Sequence, residues 1–106
     1  MSTDQPVNAY DVIPKLGELR DSVLFGDVWE RPELSKRDRS LITVAMLTVL
    51  YRTEELRSHV ARALDNGVTP DELREVILHA TFYGGWPTGV NAGRVAGSVF
   101  QSRGIE

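Results

Sequence analysis

Glu55 and His59 stand four residues apart in EELRSHVARALDNG, one helical turn on one face. On a wheel of about 100° per residue, Leu56, Val60, Ala63 and Leu64 form an apolar stripe. Glu55, His59, Arg62 and Asn66 form a second stripe beside it, with Arg52 nearby. His59 is therefore expected at the edge of a core. A carboxylate at i−4 can accept a hydrogen bond from the imidazole, orient the ring and raise its proton affinity. That suits a general acid or base, or a cationic donor to a developing oxyanion. Equally, Glu55 and His59 can be a surface pair contributing a few tenths of a kcal/mol.

Three other groups could bind a ligand. Arg39 sits in the first turn of the next apolar helix upstream, where the helix dipole disfavours a cation. It shares a face with Thr43, Met46 and Leu50, read as the apolar side, and there it could hold an anion or lay its stem over the core. His79 lies at the edge of another apolar stripe with Glu75 at i−4. In Phe82-Tyr83-Gly84-Gly85-Trp86-Pro87, aromatic residues flank a glycine pair that breaks a helix. Tyr83 and Trp86 could wall a pocket for a flat ligand, or plug the end of a bundle.

These groups must be carried by helices. The 8–25 stretch spaces Val12, Ile13, Leu16, Leu19, Val23 and Leu24 helically, with Pro14 near its start and Gly26 after its end. Ser35 is the expected N-cap of a helix over 36–52, with Asp38 in capping-box position; its middle, LITVAMLTVL, is apolar on almost all sides. Such a helix is buried within a bundle or at a subunit interface. Thr53 is the expected cap of a helix over 54–66, with Gly67 as its C′ residue. Thr69, Pro70 and Glu72 form the clearest helix start in the chain, and Leu73, Val76, Ile77, Ala80 and Tyr83 mark that helix's apolar stripe. Pro87 restarts a last helix running to about residue 103, with Val90, Val95, Val99 and Phe100. Its Gly89, Gly93 and Gly97, four apart, either make a flat face for a close helix or simply weaken this one. No segment alternates with period two. The expectation is an all-α bundle of about five or six helices, with a flexible tail over 1–7 and a single domain over 8–106.

Composition narrows the chemistry. The chain has 106 residues, net charge −3 and no cysteine. Disulfides, thiolate metal sites, iron–sulfur clusters and cysteine nucleophiles are thereby excluded. The acidic balance argues against nucleic acid as a partner. No apolar run reaches the ~20 residues of a membrane span, and the N-terminus lacks a signal-peptide pattern, so a cytoplasmic location is expected. The two histidines lack a metal-binding spacing, and no phosphate loop or other cofactor motif is present. Neither a metal nor a cofactor is expected.

Taken in order, these landmarks resemble the carboxymuconolactone decarboxylase family over residues 25–100. The matching residues are Gly26, Trp29 and Pro32; Arg39-Ser40-Leu41; Glu55-Leu56 followed by His59; and Asn66-Gly67-Val68-Thr69. They continue through Glu72, Glu75, Tyr83, Gly85 and Pro87 to Asn91. The resemblance implies an all-α fold shared with alkylhydroperoxidase D-like proteins. It also implies a homo-oligomer, a trimer or a hexamer, with sites near subunit interfaces. In the peroxidase branch a CxxC pair precedes the histidine, and by register those cysteines fall at Arg52 and Glu55. A carboxylate of that branch falls at about Ser40. All three differ here, so thiol peroxidase chemistry has no reactive atoms to use.

What the resemblance then implies is the decarboxylase branch. It removes CO₂ from a carboxylated muconolactone in aromatic breakdown, without a cofactor. Under that reading Arg39 binds the anion, and His59, oriented by Glu55, donates a proton or stabilises the oxyanion. Tyr83, Trp86 and His79 contact the substrate, a small carboxylate or lactone. The alternative is an oligomer of the same fold that binds a ligand without catalysis. Tyr51 and the Gly84-Gly85-Trp86 stretch depart from the family's usual pattern.

Overall fold

The computed structural model describes residues 6–106. The expected tail over 1–7 falls mostly outside them. Within the described residues the chain is helical throughout, with no strand, and forms two compact units that meet in sequence at Glu33 and Leu34.

The first unit departs from the single helix expected over 8–25. Asn8 caps a short α1 (Ala9–Val12), its side chain accepting from the Tyr10 N–H, and Pro14 opens α2 (Pro14–Leu19). The break falls at Ile13 because the residue before a proline is pushed out of the α region, and its φ of −127° and ψ of 81° show it. A π-helical turn over Arg20–Phe25 and a 3₁₀ turn over Val28–Glu30 follow. Val12, Ile13, Leu16, Leu19, Val23 and Leu24, whose spacing predicts that helix, are all exposed.

The second unit is a four-helix bundle: α3 (Lys36–Val49), α4 (Thr53–Asp65), α5 (Pro70–Gly84) and α6 (Trp86–Ser102). Ser35 caps α3 by accepting from the Asp38 N–H. Thr69 and Glu72 close a full capping box on α5, with Pro70 at N1. Thr53, expected as a cap, is instead the first residue of α4 and gives no side-chain cap bond. Gly67 has φ +94° beyond the end of α4, where Val68 N–H reaches back to the Ala63 carbonyl as in a Schellman ending. Gly85, at φ +113°, is the single residue between α5 and α6.

α3 stops at Val49, short of the expected residue 52. Tyr51 takes φ +61°, the one positive φ of a non-glycine among the described residues, and Arg52 N–H bonds the Leu47 carbonyl. This is a Schellman ending without its usual glycine. The Tyr51 phenol oxygen accepts from Asn91 Nδ2 at 2.9 Å, tying the α3–α4 turn to α6.

The core lies where all four helices converge. Val44, Leu56, Val60, Ala63, Leu73, Ile77, Ala92, Ala96 and Val99 are buried there. Gly89 lets α6 cross α5 closely, since a Cβ there would collide with the Thr81 side chain. Gly93 and Gly97 face open space, so the close approach belongs to Gly89 alone.

Candidate functional site

The α4 wheel is realised as read. Leu56, Val60 and Ala63 are buried, and His59 is half-buried at the edge of their stripe. Its neighbours Arg62 and Asn66, at i+3 and i+7, continue the same row, which rises ~10.5 Å from His59 to Asn66 at 1.5 Å per residue.

α3 closes this row from the other side. Ser40 is completely buried, and its Oγ accepts from Asn66 Nδ2 at 3.0 Å. The N-terminal end of α3 is thereby held against the C-terminal end of α4. Arg39 precedes Ser40 in α3, one residue from the contact with Asn66. It is partly buried, with its Nε closed off from solvent like the Nδ1 of His59. The face that Arg39 shares with Met46 and Leu50 is not the core face. Met46 is 49% and Leu50 61% exposed, while Ser40, Val44 and Thr48 point inward. A helix apolar on nearly every side has no dominant period, so the wheel could not choose between its faces.

The electrostatics of His59 run opposite to expectation. Its pKa is lowered from the ordinary imidazole value, first by burial and second by the Arg62 guanidinium. Both effects disfavour a second proton on the ring. Glu55 lies on the exposed side of the row. The site thus offers a neutral imidazole near physiological pH, in a row with a guanidinium and an amide. The ring can donate one hydrogen bond and accept one. Sequence reasoning had placed Arg62 and Asn66 on this stripe without giving them roles. The i+3 spacing of Arg62 from His59 was the available signal. For Ser40 it was a small polar residue at the head of the 40, 44, 48 core line.

His79 and Tyr83 lie elsewhere. With Glu75, Val76 and Ala80 of α5 and Leu41, Ile42, Ala45, Met46 and Val49 of α3, they line a groove of about 600 Å³. The groove occupies the α5 side of α3, whereas the His59 row occupies the α4 side. The rings of His79 and Tyr83 lie 5.0 Å apart, tilted by 37° to each other. Phe82 meets Trp86 edge-on at 6.3 Å. The aromatic turn does not plug the bundle: Phe82, Tyr83 and Trp86 are 73%, 79% and 67% exposed. Of the expected site residues, His59 lies on α4 and Arg39 on α3, helices joined by the Ser40–Asn66 bond; Glu55 is exposed, and His79 and Tyr83 line the separate α3–α5 groove, with Trp86 beyond it against Phe82.

Among the described residues no three His, Asp or Glu side chains converge on a point where a metal could sit, and no helix is long and apolar enough to cross a membrane.

Residues 14–97 match the model of the carboxymuconolactone decarboxylase family. The chain is 47% identical over 81 residues to a 4-carboxymuconolactone decarboxylase of Acinetobacter baylyi, covering 76% of this chain and 60% of that protein. It is 40% identical over 75 residues to the nitrosuccinic acid decarboxylase npaB of Metarhizium robertsii, covering 71% of this chain and 52% of that protein. The chain therefore spans between half and three-fifths of the length of these relatives.

Proposed function

The chain belongs to the carboxymuconolactone decarboxylase family, and from that premise we propose that it is a cofactor-independent carbon–carbon lyase, with His59 as the residue that handles the proton. The observation that supports this reading is the half-buried His59, disposed to stay neutral by burial and by Arg62, in a row of donors closed by α3.

The substrate class follows from the chemistry such a row can do. Decarboxylation breaks the bond to the carboxyl carbon, releases CO₂ and leaves the electron pair on the substrate. That pair needs a sink. In a carboxymuconolactone the conjugated lactone carbonyl takes it as a dienolate; in a nitro acid the nitro group can. Arg39, and with it Arg62, holds the carboxylate in place. The neutral His59 N–H donates to the oxygen on which charge develops, where a preorganised donor has most effect. The proton that goes to carbon passes through this ring from solvent water, which is left as hydroxide, so that the ring itself never rests as an imidazolate. Glu55, exposed at the open edge, is not among the groups that set the ring's pKa and is assigned no step. His79, Tyr83 and Trp86, on the other flank of α3, carry no step of this reaction within one copy.

The protein acts in the cytoplasm, on a small carboxylated lactone or similar acid, as a homo-oligomer of three or six copies. The test is CO₂ release from 4-carboxymuconolactone, nitrosuccinate and a panel of β-keto acids by the purified chain. Turnover of at least one, without added metal or cofactor and lost in His59→Gln, is the expected result. Ligand binding without CO₂ release from any of them would favour the non-catalytic reading.

A further inference from the structure

Apolar packing alone does not fix the rotation of α3. Its middle, LITVAMLTVL, is apolar on almost all sides, so turning the helix about its axis would exchange one apolar face for another at little cost. Any such turn would re-aim Arg39, because successive side chains point ~100° apart. The inward line is Ser40, Val44 and Thr48. Val44 packs by apolar contact, and Thr48 bonds within its own helix, its Oγ1 donating to the Val44 carbonyl at 2.8 Å. Only Ser40 on this line bonds another helix, its completely buried Oγ accepting from Asn66 Nδ2 at 3.0 Å.

That bond acts as a register pin. A shift of α3 by one residue, about 1.5 Å along the axis and ~100° around it, would strand the buried Ser40 hydroxyl, because hydrogen bonds tolerate only a few tenths of an ångström. A buried polar contact satisfied in one arrangement selects that arrangement, as a single polar position sets the register of a coiled coil. Its net worth to stability is modest by comparison. The same turn has a second tie, Arg37 Nη2 donating to Glu72 Oε2 of α5, but both side chains are more than a third exposed, and solvent screens such a pair. We propose that Ser40 and Asn66 are positioning residues for the decarboxylation. They fix the rotation of α3, so that Arg39, one residue from Ser40 with its Nε closed off from solvent, keeps its direction relative to His59, two turns from Asn66 on α4. This role rests on Arg39 as the anion-binding group of the proposed lyase and adds what holds that group in place.

The test uses the full chain, turned over with 4-carboxymuconolactone and titrated calorimetrically with succinate, a non-reactive carboxylate. Ser40→Ala should raise KM and the succinate Kd on the order of ten-fold, the scale of a small misplacement of a binding group, with kcat little changed. Asn66→Ala should do the same, and the double variant should be no worse than either single one. In an Arg39→Gln background Ser40→Ala should add nothing, since its effect passes through Arg39. Thr48→Val, as deeply buried but bonded within α3, should leave KM and Kd unchanged even where it lowers the melting temperature. Should Ser40→Ala fold poorly, Asn66→Ala, at a partly buried position, carries the same prediction. Unchanged KM and Kd in a folded Ser40→Ala or Asn66→Ala, a loss confined to kcat, or an equal loss in the Arg39→Gln background would overturn the positioning role while leaving the lyase standing. Succinate affinities that follow the expected pattern without any CO₂ release would overturn the lyase and leave the positioning of Arg39 intact. A folded wild type that neither binds succinate nor releases CO₂ would overturn both.

Discussion

Gly89 and Gly93 lie one turn apart on α6, and alanine at the two positions should act in opposite directions. An alanine Cβ at Gly89 would lie 2.8 Å from both Cβ and Cγ2 of Thr81 and closer still to Oγ1. Carbon atoms rest at ~3.5–4.0 Å, so α5 and α6 must part by roughly 1 Å. Rotating Thr81 cannot remove the clash, because its Cβ is fixed to the backbone. Such overpacking costs ~1–3 kcal/mol or more, against a gain of up to about 1 kcal/mol from replacing glycine in a helix. At Gly93 no atom lies within 4 Å, and only the gain remains. Gly89→Ala should therefore destabilise by about 1–2 kcal/mol, and Gly93→Ala should stabilise by roughly 0.5–1 kcal/mol. For a chain of this size each kcal/mol moves the melting temperature by ~4–8 °C. Thermal denaturation followed at 222 nm measures both. Thr81→Ala removes Oγ1 and Cγ2 but keeps the Cβ, so it should rescue Gly89→Ala only in part. A neutral or stabilising Gly89→Ala would refute the close α5–α6 crossing, and with it the placement of the Gly84–Trp86 turn against α3.

Three further outcomes follow from the site. The His59 imidazole, titrated by its C2–H resonance, should have a pKa below the ordinary 6.5, and Arg62→Met should move it up without bringing it above that value, because burial is the larger cause. With the folded pKa below the unfolded one, the unfolded chain binds more protons, so this group's contribution to stability is lost as pH falls below about 6.5 and is constant above it; His59→Gln should flatten that dependence in urea titrations. Ser40→Ala leaves Asn66 Nδ2 without the acceptor it has at 3.0 Å and should cost about 1 kcal/mol, with Asn66→Ala non-additive to it in a double-mutant cycle. Tyr51→Phe should lose ~0.5–1 kcal/mol with the Asn91 bond, whereas Tyr51→Gly, which also relieves ~1–2 kcal/mol of left-handed strain, should melt at or above Tyr51→Phe.

The parts of the fold legible in the sequence were those set by local chemistry. Ser35, Thr69-Pro70-Glu72, Gly67 and Gly85 mark helix ends through hydrogen bonds and backbone freedom that a few neighbouring residues decide. Pro14 was legible as helical punctuation, but its effect on Ile13 turned one expected helix into two. The end of α3 was missed because Tyr51 occupies a left-handed position where glycine is the usual sign. The α4 row was legible because the helix is amphipathic, and its stripe placed His59 correctly at the core edge. The face of Arg39 was not, because α3 is apolar nearly all round and no period selects its inner side. Tyr83 and Val90 fall on apolar stripes yet remain exposed. Periodicity says which face is apolar, not whether the chain itself covers it. The direction of the His59 shift was out of reach for a related reason: a wheel shows Glu55 and Arg62 equally near, but burial and charge geometry decide which counts.

The central claim is that His59 handles the proton in a cofactor-independent decarboxylation. The most direct measurement follows CO₂ release and loss of 4-carboxymuconolactone together, with wild type and His59→Gln side by side and a chelator present. The account predicts stoichiometric CO₂ from the wild type and a rate ~10²–10⁴-fold lower in His59→Gln, the usual worth of a positioned acid–base group. Undiminished turnover by His59→Gln, or no CO₂ from the folded wild type with this lactone and the related acids, would contradict it.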